Sequence, residues 1–181
     1  GGAEIVDPVE LPAYQDFGDA PLTVLLYEFK AGLNAYLASL GDDAPVKSLA
    51  EVIEFNEKHA ELSITYFDQE LLVRAQAKGP LTEPEYLDAL AKCRRLSREE
   101  GIDKTMDEHR LDAIVGPTGG PAWVTDLVND DHFGGSSSTP AALAGYPNIS
   151  VPAGFVYELP MGISFFGRAW SEPVLLQIAY A

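Results

Sequence analysis

The feature that most limits how this chain can fold is a change of pattern at Leu111. Before it, apolar residues recur at helical spacing; after it, short β-type runs alternate with Gly and Pro corners. Leu25, Leu26, Phe29, Leu33, Tyr36, Leu37 and Leu40 predict a helix over Leu22–Leu40, opened by Pro21 and stopped by Gly41. Ser48, with Glu51 three residues on, predicts a capping box for a second helix, with Val52, Ile53 and Phe55 on its apolar side. A third helix is expected over Asp68–Lys78. A fourth starts at a Thr82/Glu85 capping box and runs towards Arg110, weakened at Gly101.

Beyond Leu111, Ala113–Val115, Asn148–Val151 and Met161–Phe166 have strand composition, and Ala3–Asp7 is an earlier strand candidate. Ser171 and Pro173 predict a closing helix. Strands separated by helices argue an α/β fold with a mixed β-sheet and surrounding helices. The reading is a single unit over 1–181, with a helical insert about 22–110 and a sheet-forming tail about 111–181. Four short strands make a poor sheet alone, so the chain reads as part of a larger fold whose exposed edge favours a homodimer.

Composition narrows the function. With 28 acidic against 12 basic residues the net charge is −16, which opposes binding to nucleic acid. No apolar run reaches about 18 residues, so no membrane helix is expected. The opening GGAEIVDPVELP lacks a signal-peptide pattern. The lone Cys93 leans towards a reducing, cytoplasmic compartment and permits no intrachain disulfide.

Gly134–Ser138 invites an active-site reading, because glycines beside a serine can aim N–H groups at an oxyanion. Thr139-Pro140 follows instead of further glycine, and AALAG then reads as a short helix. Ser138 or Thr139 is therefore expected to cap it, with Pro140 in its first turn. The loop Gly119–Asp126 follows a strand end, where ligand loops lie in α/β folds. Trp123 offers a flat apolar wall there, Asp126 or Asn129 a polar contact, and Phe133 a second aromatic. Packing beneath their own loop is the competing role of Trp123 and Phe133. His59 and His109 fall at helix ends, where imidazole suits the dipole. Asp130-Asp131-His132 is the one grouping with metal-ligand character, and a solvated loop explains it more simply.

Taken in order, Asp112–Thr118 (DAIVGPT), Gly145–Gly154 (GYPNISVPAG), Leu159–Gly167 (LPMGISFFG) and the closing segment with Glu172, Leu175, Leu176 and Ala179 resemble the C-terminal portion of the amidase signature family. The opening Gly2–Pro8 resembles the strand that follows that family's catalytic core. The resemblance implies hydrolysis of a carboxamide C–N bond to carboxylate and ammonia or amine. The implied machinery is a Ser–cis-Ser–Lys triad, with lysine acting through the bridging serine and no metal or organic cofactor. None of Lys30, Lys47, Lys58, Lys78, Lys92 and Lys104 lies in the apolar strand-to-loop setting of that lysine, so no catalytic residue is assigned here. The resemblance thus implies two partners, a small-molecule amide and an N-terminal catalytic portion, without which this chain is expected to be inactive. A non-catalytic binding or regulatory fragment, and an amidase-like subunit of a transamidating complex, remain as alternatives.

Overall fold

The computed structural model describes residues 2–12, 14–42, 44–65, 67–129 and 132–181. They form two compact units: Phe17–Lys92, and the residues up to Asp16 together with Cys93–Ala181. Among the described residues no helix is long and apolar enough to cross a membrane.

The first helices are α1 (Tyr14–Phe17), α2 (Ala20–Ser39), α3 (Leu49–Lys58), α4 (Ala60–Ser63), α5 (Glu70–Gln76) and α6 (Pro84–Arg94). The apolar spacing of α2 and α3 brings Leu26 and Leu49 against Ala75 of α5, with Leu22, Leu33, Ile53 and Leu72 around them. Burying each such leucine is worth about 1.5–3 kcal/mol. Ser48 caps α3 as expected, accepting from the Glu51 N–H at 3.2 Å; the Glu51 carboxylate reaches Lys47 N rather than that of Ser48. His59 closes the same helix, its Nδ1 2.8 Å from Phe55 O. The half-buried Lys30 donates to the Gln76 and Lys78 carbonyls, capping the end of α5.

Two expectations fail here. Phe55 is 47% exposed and stacks on His59 with ring centroids 4.2 Å apart, because it points away from the contact with α5. Glu85 does not complete a capping box. Its carboxylate accepts instead from Lys78 (2.6 Å) and the Tyr27 hydroxyl (2.7 Å), partners that a local turn cannot match.

In the second unit a wide-turned segment, Arg95–Ile102, leads into α7 (Asp103–His109). Then follow β1 (Ile114–Pro117), α8 (Thr139–Ala144), β2 (Asn148–Val156), β3 (Leu159–Phe166) and α9 (Glu172–Tyr180). The three strands lie in the order β1-β3-β2, both pairings antiparallel. Alternation puts Ile114, Gly116, Ser164 and Phe166 on one face. Phe166 there joins Ile102, Met106, Ala141 and Ala144 in a core that Leu11, Leu111, Ile114 and Tyr146 extend. α9 packs on β2 and β3, with Leu175 buried.

β2 and β3 run longer than their sequence pattern foretells. Tyr157 and Glu158 turn the hairpin with φ of 48° and 67°, the mirror-image geometry whose twist suits a tight antiparallel pair. Ala3–Asp7 forms no strand: it finds no ladder partner among the described residues, and Ile5 stays 74% exposed. Ser138 and Ser171 hold the N-cap positions of α8 and α9 without making the cap bond. Ser138, at φ −77° and ψ −25°, is already helical, which turns its hydroxyl from the first-turn N–H groups.

Candidate substrate-facing site

The chain leaves α7 through Arg110, in a left-handed conformation at φ 53°, and enters β1. β1 ends in the Pro117-Thr118 corner, where the Thr118 N–H donates to Gly162 O at 2.9 Å. The pleat then lines up three hydroxyls. Thr118 Oγ1 lies 2.7 Å from Ser164 Oγ, and Ser164 Oγ lies 2.8 Å from Ser150 Oγ. Ser164 is 2% exposed. Gly162 is needed beside this row, because a Cβ there would stand 2.7 Å from Thr118 Oγ1. The row was legible only as a serine in the middle of each of the runs Ile149-Ser150-Val151 and Ile163-Ser164-Phe165; of the two, Ser164 is buried and Ser150 exposed.

Past Thr118 the chain makes a long loop closed by a bridge between Gly119 and Ser136. Inside it, Trp123 and Phe133 meet edge to face, with centroids 5.9 Å apart and planes at 70°. Trp123 is 43% and Phe133 64% exposed, and Val124, Leu127 and Val128 stand out beside them. The structure therefore brings two of the three sequence-nominated residues together on an exposed, apolar loop.

Asp126, the third, shapes the loop itself. Its Oδ1 accepts from the Val128 and Asn129 N–H groups at 2.9 Å, and its Oδ2 from Asn129 Nδ2 at 2.8 Å. These bonds, the Asn129 side chain first, hold its carboxyl below the usual aspartate range. His132 Nε2 lies 4.0 Å from Asp126 Oδ2. Asp130 and Asp131, expected beside it, lie outside the described residues, among which no group of three or more His, Cys, Asp or Glu side chains could hold a metal.

The serine cluster has a supporting geometry. Ser136 Oγ and Ser138 Oγ are 3.1 Å apart. Ser137 packs over Gly116, where an added Cβ would come 3.0 Å from Ser137 Cβ, and its hydroxyl is buried without a partner. Among the described residues no hydrogen bond joins these serines to a lysine or histidine.

On the opposite face of the sheet, Val115, Pro117, Met161, Ile163 and Phe155 line an open groove of about 520 Å³. In the helical unit a concavity of about 620 Å³ contains Tyr27, whose hydroxyl lies 2.5 Å from Glu83 and 2.7 Å from Glu85. These bonds push the Tyr27 hydroxyl far above the normal tyrosine range, the one to Glu83 most. In the same concavity Lys78 Nζ donates to Glu85 at 2.6 Å.

A model of the amidase family matches residues 2–176. The chain belongs to the amidase family. A probable amidase of Arabidopsis thaliana is 42% identical over 159 residues, covering 87% of this chain and 27% of that protein. The solved structure of native peptide amidase from Stenotrophomonas maltophilia is 47% identical with a TM-score of 0.85, over 96% of this chain and 34% of that one. A glutamyl-tRNA(Gln) amidotransferase subunit of Symbiobacterium thermophilum is 40% identical over 77 residues, covering 40% of this chain and 16% of that protein. This amidase-family chain thus spans about a third or less of the length of these relatives. The α/β fold, helices and a small sheet, matches part of the peptide amidase structure.

Proposed function

We propose that this chain is the C-terminal segment of an amidase that hydrolyses a carboxamide C–N bond to carboxylate and ammonia or amine. In this reading the Ser–cis-Ser–Lys triad lies outside the chain. A serine is acylated and then released by water, while lysine takes and returns the proton through the bridging serine. The chain supplies sheet strands, and the Trp123–Phe133 pair forms an apolar wall of the substrate funnel. Asp126 supports that wall by fixing the loop. The reading needs no cofactor, and its partners are a small-molecule amide and the catalytic portion.

The observation that carries the reading is the 47% identity to peptide amidase across 96% of the chain. It also makes peptide amides the first substrates to try. The test has two arms. Ammonia release from a peptide amide is measured with the longer protein containing this segment, and with the 181-residue chain alone. Turnover by the first and none by the second is expected. Turnover by the chain alone, abolished by Ser137→Ala, would place the nucleophile in the serine cluster and overturn the assignment.

A second reading rests on the stretch shared with the amidotransferase: the segment would then serve an amidase-like subunit of a transamidating complex. Glutamine-dependent transfer of ammonia to an acceptor, in place of release to water, distinguishes it.

A further inference from the structure

α2 turns apolar side chains to nearly every side, and only part of that surface is covered. Leu26 and Leu37 are buried, with Leu22 and Leu33 packed beside Leu26. Leu25, Phe29, Tyr36 and Leu40, the last at the C-cap, are 56%, 41%, 59% and 49% exposed. Together with Gly32 they follow one another at helical steps of three or four residues, which keeps them on a single stripe. A helix apolar on all sides is ordinarily buried on all sides.

The stripe reads nearly the same from either end. About the midpoint between Gly32 and Leu33, Leu25 mirrors Leu40 and Phe29 mirrors Tyr36. A two-fold axis at that point lays an identical, antiparallel stripe on it, leucine to leucine and aromatic to aromatic. Such self-complementarity is what a two-fold interface requires. Gly32 falls at the crossing with nothing within 4 Å of where its Cβ would stand, so the two backbones can approach closely.

Charge favours the same face. Two copies of a chain carrying −16 repel wherever acidic surfaces meet. Among the exposed residues of α2 only Glu28 is charged, and its carboxylate accepts the Tyr86 hydroxyl at 2.8 Å. The exposed parts of the four large side chains and their small neighbours amount to roughly 600 Å² per copy. That is about 1,200 Å² in total, the lower edge for a specific pair.

We propose that α2 is a self-association surface through which two copies of this chain pair, antiparallel, about Gly32. The inference stands apart from the assignment of amide hydrolysis. Sedimentation equilibrium of the chain should show a monomer–dimer equilibrium, and Tyr36→Glu should weaken it at least tenfold with the circular dichroism unchanged, about the scale of a central interface residue. Register is tested by oxidative cross-linking: Leu25→Cys with Leu40→Cys gives a covalent dimer, and Leu25→Cys alone does not. The two positions are about 22 Å apart on one helix, so a bridge between them must join two chains. Cys93 is buried and does not compete. A monomer at millimolar concentration, a dimer indifferent to Tyr36→Glu, or cross-linking by the single variant overturns the proposal. Binding of the stripe to lipid vesicles or to the remainder of a longer polypeptide, with no dimer formed, overturns it equally.

Discussion

Thr118 Oγ1 stands 2.7 Å from Ser164 Oγ, so side chains as well as the Thr118 N–H fasten the corner after β1 to the buried middle of β3. Ser164→Ala removes the middle hydroxyl and with it the side-chain tie to the half-buried Thr118. The expected loss is about 1–3 kcal/mol, read as a lower urea midpoint with an unchanged slope. Ser150→Ala, at the exposed end of the row, should lose less, because water replaces the missing partner. Equal losses in the two variants would contradict a buried fastening.

Gly101 sits where the helical path breaks, at φ −108° and ψ −109°, and a Cβ there would stand 2.5 Å from Leu96 O. A backbone oxygen cannot swing aside as a side chain can. Gly101→Ala is therefore expected to destabilise the chain by about 2–4 kcal/mol, where an open helical site would gain nearly 1 kcal/mol from the same change. Thermal or urea unfolding decides the sign; a stabilised variant would mean that the segment straightens into regular helix.

Much of the architecture was legible because local chemistry dictated it. Pro21 and Gly41 bracket α2, Ser48 caps α3, and Gly145 ends α8 with φ of 66°. What was not legible depended on partners distant in sequence. Glu85 left its expected capping box for Lys78 and Tyr27, and Ala3–Asp7 has strand composition but no ladder partner among the described residues. The site divides the same way. Trp123 and Phe133 could be nominated as aromatics near glycines after a strand, whereas the Thr118–Ser164–Ser150 row appears only once the register is known.

Asp126 gives a pH dependence whose sign is fixed. Hydrogen bonds from Asn129 and Val128 favour its ionised form in the folded loop, so its folded pKa lies below the unfolded value of about 3.9. The turn is therefore fully supported above that value, and the support is lost as pH falls through the lower folded pKa. In a carbon-13 titration of the Asp126 carboxyl the midpoint should fall below about 3.9, and Asn129→Ala should raise it. A midpoint at or above the reference value would show that the loop does not hold the carboxylate in solution.

The exposed Trp123–Phe133 pair leads to the last expectation, which concerns the longer amidase proposed above to contain this segment. If the pair walls the substrate funnel, its apolar surface binds ground and transition states alike, far from the C–N bond being cut. Truncating it then removes uniform binding, which raises KM and spares kcat. Trp123→Ala or Phe133→Ala should raise KM for an apolar peptide amide about tenfold, equivalent to about 1.4 kcal/mol. The double variant should fall short of the product of the two, since each ring loses the other's edge contact. Trp170→Ala, at an 88% exposed tryptophan, is the control and should leave both constants unchanged. A fall in kcat with KM unaltered would instead tie the loop to the chemical step, and no effect on either constant would confine the pair to packing its own loop.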